Sequence, residues 1–231
     1  MISLSKHIEM FVNKFEDYHF FIGVSGGVDS MVLLHLLSKY HKNITALHVN
    51  YKLRGSDSNQ DENHVKKEAL KLNIPIIIHH VTIDEQIKMK KGNLQLEARK
   101  IRYDFFKKKF SKKKNSKIFV AHHLDDQVET FFLQLVRGSG IAGLSGMQAQ
   151  SEILIRPLLS FSKNEILKYA KEYAVLWRED TSNNSLKYLR NRLRNAWIPL
   201  LEKNNPNIRE SVLKIQNLLQ DNLLEIRGLV Q

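Results

Sequence analysis

The amino-acid sequence predicts an α/β fold: a doubly wound parallel sheet with helices on both faces, followed by a helical carboxyl-terminal segment. Four short apolar, β-branched stretches each precede a segment of helical period. These stretches are almost wholly apolar, which is typical of parallel strands covered by helices on both sides. With 231 residues, 42% of them hydrophobic, the chain is long enough for one such domain with an appendage.

The four predicted strands cover residues 19–24, 44–50, 74–81 and 117–123. The segments that follow them are predicted to be helices, in the order DSMVLLHLLSKY, DENHVKKEALKLN, NLQLEARKIRYDFF and DDQVETFFLQLVR. Because strands and helices alternate, the chain is expected to form βαβ units and therefore a parallel sheet.

The pattern weakens after residue 146. The stretch ILIRPLL is interpreted either as a further strand or as an extended loop that ends at Pro157. Ser162, with Glu165 three residues later, is a capping-box signature and predicts the start of another helix. Apolar residues then recur at alternating steps of four and three over residues 207–231, which predicts an amphipathic helix that needs a partner surface.

The composition limits the classes of partner and chemistry. A formal net charge of +12 and a pI near 9.7 favour polyphosphate or nucleic acid, and the alternative is a lysine-rich, solvated surface. No apolar run reaches the roughly 18 residues that span a bilayer, and no secretory signal opens the sequence, so a cytoplasmic protein with no membrane partner is expected. The absence of cysteine excludes disulfides, zinc thiolates, iron–sulfur clusters and cysteine nucleophiles from these residues.

The turn SGGVDS at residues 25–30 joins the first predicted strand to its helix. In an open α/β sheet, ligands bind at the carboxyl ends of the strands, where a helix presents unpaired N–H groups to anions. Gly26 and Gly27 let the backbone approach an anion closely, and Ser25 and Ser30 offer hydroxyl donors. Asp29 is suited either to begin the helix or to hold a metal. The turn is therefore predicted to cradle a phosphate.

The segment AHHLDDQVET at residues 121–130 lies at the end of the fourth predicted strand. Glu129 falls one helical turn after Asp125 and Asp126, so the carboxylates are expected on one face. Acids beside a phosphate-binding loop suit Mg²⁺, which shares its oxygen ligands with phosphates. Zinc on His122 and His123 is disfavoured because no third ligand stands at a recognisable spacing. An alternative role for Asp125 is to cap the helix.

These motifs resemble those of the N-type ATP pyrophosphatases, which split ATP into AMP and pyrophosphate at an SGGVDS-type loop. The chain is similar nearly end to end to the tRNA(Ile)-lysidine synthase branch of that family. The matching segments include LHVNYKLRGSDSNQDENHV, NLQLEARKIRY, AHHLDDQVETFFLQLVRGSGIAGLSGM, IRPLLSFSKNEI and WREDTSNNSLKYLRNRLRNAWIPLL. The resemblance implies an adenine nucleotide α-hydrolase-like fold.

The resemblance also implies a reaction and its partners. ATP would activate C2 of the first anticodon cytidine in a tRNA(Ile) with a CAU anticodon, through an adenylated intermediate. Free L-lysine would then displace AMP, giving lysidine by formation of a carbon–nitrogen bond. ATP and Mg²⁺ are the implied cofactors, and a homodimer is among the expected assemblies.

Carried onto this sequence, the resemblance gives each motif a role. The implied catalytic residues are Asp29, Asp126, Glu129, Arg99 and Arg102, with Asp29 and Asp126 as metal ligands. Asp126 and Glu129 would seat the lysine, while either could also serve the metal. Nucleotide binding falls to Ser25, Gly26, Gly27, Val28, Asp29, Ser30, His48 and Arg54. From pattern alone, His48 is equally well a structural histidine, and Arg99 and Arg102 could lie on a solvated helix face.

RNA contact is expected from basic residues in two segments. Arg190 and Arg194 lie four apart on one predicted helical face, with Arg192 turned away, and they suit either RNA phosphates or the mouth of the active site. Arg137 lies in a second flexible basic turn. A single unstacked anticodon base is an accessible target because its Watson–Crick edge is exposed.

Two departures from the family pattern stand out. The usual HxHGLR is HVNYKLR here, which retains His48, Leu53 and Arg54. Many members continue into carboxyl-terminal domains that help to bind the tRNA body. Residues 1–205 are therefore expected to form the catalytic domain, and residues 206–231 a helical segment leading to such a domain.

Other classes of function remain as alternatives. Sulfur-transferring tRNA enzymes share the loop but generally depend on cysteines, and this chain has none. Amide-forming relatives that make GMP, NAD or argininosuccinate need neither the charge of +12 nor the segment LRNRLRN. A non-catalytic RNA-binding module would not require SGGVDS together with DDQVE.

Overall fold

A five-stranded parallel sheet forms the centre of the molecule, in the strand order β3-β2-β1-β4-β5. The computed structural model describes residues 3–53, 55–91, 93–179 and 189–229. The strands are β1 (His19–Gly23), β2 (Ile44–Asn50), β3 (Ile76–His80), β4 (Ser116–Phe119) and β5 (Leu154–Ile155). The four predicted strands are confirmed, and ILIRPLL supplies a short fifth strand.

The helices that accompany the sheet have the following bounds: α1 (Leu4–Asn13), α2 (Val28–Tyr40), α3 (Ser56–Lys71), α4 (Ile83–Lys91), α5 (Leu94–Phe110), α6 (Leu124–Val136), α7 (Ile141–Leu144), α8 (Lys163–Glu172), α9 (Leu189–Arg192), α10 (Ile198–Asn204) and α11 (Ile208–Leu229). A π-helical turn, Leu193–Trp197, joins α9 to α10. Helix α4 was not predicted from the sequence. The capping box of Ser162 and Glu165 is confirmed at the start of α8.

Helices cover both faces of the sheet, as the apolar strands predict. Along β1, Phe20 and Ile22 point into one core, which contains buried residues of α1, α2, α3 and α8. Phe21 points to the opposite face, where it packs with Phe105 and Phe106 of α5. Each strand therefore buries alternate side chains in different cores. The doubly wound arrangement is confirmed.

Helix α11 packs against α6 in a third apolar cluster. Val128 and Phe131 of α6 meet Val212 of α11 there, together with Leu193 and Ile198 from the segment between them. This surface is the partner that the amphipathic pattern predicted. Within the described residues, no helix is both long and apolar enough to cross a bilayer.

The order of the strands fixes the position of the site. From β1 the chain moves outward to β2 and β3, then returns to place β4 on the other side of β1. The loops after β1 and β4 therefore separate at a topological switch point, where open α/β sheets bind ligands. These two loops carry SGGVDS and AHHLDDQ.

Candidate active site

The loop between β1 and α2 is held closed by its own hydrogen bonds. The Ser30 hydroxyl donates to the Gly27 carbonyl oxygen at 2.9 Å and accepts the Ser25 N–H at 3.1 Å. Gly26 has φ +97°, a conformation that side chains with a Cβ rarely adopt. Helix α2 then begins at Val28, so its first turn faces the loop. The predicted phosphate cradle is thus preorganised at a helix amino terminus.

Residues from distant parts of the chain brace this loop. The buried His48 ring donates from Nδ1 to the Val24 carbonyl oxygen at 2.8 Å, and burial lowers the pKa of His48. The Arg178 N–H donates to the Gly26 carbonyl oxygen at 3.0 Å, while Arg178 Nε binds Asp61 at 2.7 Å. His48 holds the loop from behind and is not among the residues that line the adjoining pocket. Its contact with a nucleotide stays a prediction.

A pocket of about 170 Å³ opens beside the loop, at the carboxyl ends of β1, β2 and β4. Sites that enclose a whole drug-sized ligand measure roughly 300–1,000 Å³. This pocket is therefore suited to part of a nucleotide, such as a base. Its walls combine apolar and polar side chains: Leu47, Val49, Phe106 and Val120, with Ser25, Asp29, Ser30, Tyr51, Arg102, Tyr103 and His122.

Arg102 faces the pocket through a contact with Tyr51. Arg102 Nε donates to the Tyr51 hydroxyl at 3.0 Å, and that hydroxyl donates to the Ala98 carbonyl oxygen at 3.0 Å. Arg99 is exposed one helical turn earlier, with its guanidinium 4.8 Å from the centre of the Tyr103 ring. The structure thus places Arg102 in the pocket wall and Arg99 at its rim. Sequence reasoning missed Tyr51 because it lies where HVNYKLR departs from the family pattern.

Asp126 and Glu129 lie together and bind two arginines. The Glu129 carboxylate accepts from Arg190 Nε at 2.6 Å and also binds Arg194. Asp126 accepts from the same Arg190 at 2.9 Å. Glu129 is only 1% exposed. Two acids and two guanidinium groups therefore form one partly buried ionic cluster, which we call the acid–arginine cluster.

Asp29 and Asp126 approach the same imidazole from different helices. His123 Nε2 lies 3.7 Å from an Asp29 carboxylate oxygen and 3.6 Å from one of Asp126. Lys163 Nζ binds both oxygens of Asp29 at 2.7 Å. Burial opposes protonation of His123, but the acids around it, Asp125 among them, outweigh burial and raise its pKa. The carboxylates around this imidazole therefore favour its charged form.

This pair of carboxylates fits Mg²⁺ that is shared with a nucleotide. Within the described ranges, no group of three or more His, Asp or Glu side chains could hold a metal alone. Mg²⁺ at phosphate sites needs only one or two carboxylates, because phosphate oxygens and waters complete its shell. Asp29 lines the pocket beside the loop, so Asp29 and Asp126 are the residues that would hold the metal and offset phosphate charge.

Asp125 has different partners from the acids of the acid–arginine cluster. Its carboxylate accepts the Lys163 N–H at 2.8 Å, at the first residue of α8, and also binds Arg209 of α11. Although burial opposes ionisation, contacts with His123, Lys163 and Arg209 hold its pKa well below its usual range. Asp125 thus binds α8 and α11, although it also lies 3.3 Å from the His123 ring that Asp126 approaches at 3.6 Å. The expectation that Asp125 shares one face with Asp126 and Glu129 stays a prediction.

His122 lines the pocket as a neutral base. Burial has the largest effect and lowers the pKa of His122. Asp126 raises this pKa, but three nearby arginines lower it further: Arg156, Arg99 and Arg190. A neutral imidazole can both donate and accept a hydrogen bond, so His122 offers either to a bound ligand.

The residues predicted to contact RNA fall into two groups. Arg190 and Arg194 bind acids of the cluster, while Arg137 and Arg192 are exposed at the ends of α6 and α9. Arg54, predicted to bind nucleotide, lies outside the described residues. None of these contacts with RNA or nucleotide is tested by the geometry, and they stay predictions.

Comparison with known proteins decides the family. Residues 2–201 match the PP-loop domain. This chain belongs to the PP-loop family. It is 34% identical over 200 residues to the tRNA(Ile)-lysidine synthase of Bacteroides thetaiotaomicron, which covers 87% of this chain and 47% of that protein. It is 36% identical over 223 residues to the tRNA(Ile)-lysidine synthase of Francisella tularensis, covering 94% of this chain and 54% of the relative. The PP-loop chain thus spans about half the length of the curated relatives it matches.

Solved structures share the PP-loop fold at lower identity. The U34-tRNA thiolase NcsA from Methanococcus maripaludis, solved with its 4Fe–4S cluster, aligns with a TM-score of 0.72 and 22% identity, over 94% of this chain and 80% of that one. The NH3-dependent NAD synthetase from Campylobacter jejuni aligns with a TM-score of 0.55 and 20% identity, over 95% of this chain and 92% of that one. These likenesses establish the fold of the PP-loop chain and nothing about its substrate.

Proposed function

We propose that this chain is the catalytic part of a tRNA(Ile)-lysidine synthase. It would use ATP to join free L-lysine to C2 of the first cytidine in the CAU anticodon, with lysidine, AMP and pyrophosphate as products. The observation that carries the proposal is the placement of Asp126 and Glu129, a cation-binding carboxylate pair, beside the phosphate loop. The lysidine synthases among the relatives support the choice of substrate.

The first step requires ATP phosphates to be held while the C2 oxygen of cytidine attacks the α-phosphate. The loop of residues 25–30 supports pyrophosphate binding, because its serines and helix N–H groups converge on one side. Arg102 lines the same pocket and could meet charge that develops on the α-phosphate. Mg²⁺ held by Asp29 and Asp126 would neutralise phosphate charge. Positioning and electrostatics thus account for the step without a covalent nucleophile.

The second step requires a lysine amine to reach the activated carbon and lose a proton. Asp126 and Glu129 already bind cationic groups, the guanidinium ends of Arg190 and Arg194. We infer that a lysine ammonium takes over part of this carboxylate surface, since it carries the same charge and the same kind of donors. Arg190 and Arg194 would then be released in part towards RNA phosphates, together with the exposed Arg137 and Arg192.

Pyrophosphate release provides the test of this reaction. The chain is incubated with ATP and Mg²⁺, with or without an isoleucine tRNA that has a CAU anticodon. Release that depends on this tRNA is expected, and it should be lost in Asp29→Asn but kept in Glu9→Gln, which removes an exposed acid of α1. Release that is independent of RNA would instead indicate a small-molecule ligase. No release from folded protein would contradict the assignment of this chain as the catalytic part.

A further inference from the structure

The end of β5 brings an arginine to the edge of the site that the sequence did not single out. Arg156 directly follows β5, whose register places it beside β4 and the turn that carries His122. Its Nη1 donates to the Gln148 carbonyl oxygen at 2.8 Å. Arg156 also lines a second cavity of about 380 Å³, between residues 142–151 and α11. Arg156 therefore lies at the carboxyl edge of the sheet, where ligands bind.

The charge of Arg156 is not balanced by the protein. Its guanidinium lies beside the Tyr103 hydroxyl, and the Arg99 guanidinium stands 4.8 Å from the centre of the same tyrosine ring. Burial lowers the pKa of Arg156 most, and the positive charge of Arg99 lowers it further, against the effect of Tyr103. Its Nε is buried and lacks a hydrogen-bond partner. Throughout the described ranges, no carboxylate lies within ion-pair distance of Arg99 or Arg156. Four other arginines near the site contact a carboxylate: Arg178, Arg190, Arg194 and Arg209. Arg102 instead donates to the Tyr51 hydroxyl.

Two neighbouring guanidinium groups without a counter-charge are costly to hold together. An anion between them would supply the missing charge and hydrogen-bond acceptors. Phosphate fits best, because its oxygens match the planar donor fork of arginine. Tyr103 adds a hydroxyl at the same place.

We propose that Arg156 and Arg99 together bind one backbone phosphate of the RNA substrate. The inference rests on the proposed function and deepens it. RNA is favoured over ATP as the source because Arg156 lines the second cavity and is not among the residues that line the pocket beside the phosphate loop. A phosphate fixed there would set the register of the RNA strand as its reactive base enters the site.

The test measures binding of an anticodon stem–loop RNA with a CAU anticodon to the 231-residue chain. Arg156→Gln should weaken RNA binding by about tenfold or more, because it removes one charge-assisted contact with a phosphate. It should also reduce the slope of log affinity against log salt by about 0.7, the effect of one phosphate contact. The affinity for ATP should stay within about twofold. The matched control is Lys108→Gln, which removes one exposed charge at the far end of α5.

Arg99→Gln keeps the test valid if Arg156→Gln fails to fold, because Arg99 is exposed. It should produce a similar loss, and the double variant should lose less than the product of the two single losses, since both groups bind one phosphate. RNA binding equal to that of the unsubstituted chain, or a loss confined to ATP, would overturn this inference alone. A chain that binds no RNA at all would overturn the proposed function with it.

Discussion

Glu129 is almost completely buried, yet two guanidinium groups contact its carboxylate. A carboxylate in that position is stabilised only while its cations remain. The acid–arginine cluster is therefore both a structural element and a site with affinity for cations. At the scale of single residues, this double role explains why the same acids are suited to bind the ammonium group of the lysine substrate.

Replacing this carboxylate should have two separate effects. Glu129→Gln removes the charge that holds Arg190 and Arg194, so the free energy of unfolding in urea should fall by about 2 kcal/mol. That figure is discounted because each arginine is about one-third exposed. Lysine transfer to tRNA should be lost. Glu9→Gln is the control, and an active Glu129→Gln variant of unchanged stability would refute the role given to the cluster.

Glu62 gives a prediction about pH. Burial opposes its ionisation, but hydrogen bonds from Lys66, Asn50 and His80 outweigh burial and lower its pKa from 4.5 to about 2. The unfolded chain binds the proton more readily, so this carboxylate stabilises the fold above pH 4.5, and the contribution is lost as pH falls towards 2.

The measurement compares the unsubstituted chain with Glu62→Gln in urea at several pH values. The difference in unfolding free energy between the two proteins should be constant above about pH 5 and should shrink as the pH falls through the window between the two pKa values. If the difference in unfolding free energy stays the same down to about pH 3, the carboxylate of Glu62 does not contribute to the pH dependence of stability.

Sequence reasoning located single residues well where a local motif named them. The loop from Ser25 to Ser30 and the pair Asp126 and Glu129 lie where the ends of β1 and β4 meet, as predicted. It did not find Tyr51 or Arg156, because each meets its partner from a distant part of the chain, Arg102 and Tyr103 respectively. No local pattern records such a contact.

At the scale of elements, α11 holds the turn between α7 and β5 through glutamine side chains. Gln216 Nε2 donates to the Gln127 carbonyl oxygen at 3.4 Å, and Gln220 Nε2 donates to the Ser145 carbonyl oxygen at 2.7 Å. Gln127 pairs with both the N–H and the carbonyl of Met147, each at 2.7 Å. The helix and the turn are therefore expected to shift together.

Gly146 is the tightest point of this assembly. It has φ +74°, and a Cβ there would lie 2.3 Å from Gln216 Nε2 and 2.9 Å from Gln127 Oε1. Gly146→Ala should reduce the free energy of unfolding by on the order of 2–3 kcal/mol, through backbone strain and overpacking.

Gly140 provides the matched control, since its φ is −71° and no atom lies within 4 Å of an added Cβ. Gly140→Ala should change the unfolding free energy by no more than about 0.5 kcal/mol. Equal losses in the two variants, measured by urea unfolding, would show that α11 does not constrain the turn.

The elements themselves were largely predictable because period and composition are local properties. The alternation of β-branched stretches with helical segments indicated four strands and their helices, and the capping box indicated α8. Helix α4 escaped prediction because its sequence, IDEQIKMKK, is mostly polar and carries a weak apolar pattern. The choice between strand and loop for ILIRPLL was settled only by pairing with β4.

At the scale of the whole molecule, the net positive charge indicates the kind of substrate that the chain binds. The net charge of +12 favours a polyanionic substrate. Arg190 and Arg194 do not add to the unpaired positive charge, because both form ion pairs within the acid–arginine cluster. The relatives are about twice as long as this chain. Helix α11 buries Val212 against α6, so it packs on the body formed by the preceding residues. The boundary expected at residue 205 stays a prediction.

Incorporation of labelled lysine into an isoleucine tRNA with a CAU anticodon tests the proposed reaction most directly. The label is expected to become attached to the first anticodon cytidine only when ATP and Mg²⁺ are present, and AMP and pyrophosphate should form in equal amounts. Mass spectrometry of the digested nucleosides would identify the product as lysidine. Pyrophosphate release accompanied by no lysine in the RNA, or by lysine in RNA that lacks the CAU anticodon, would contradict it.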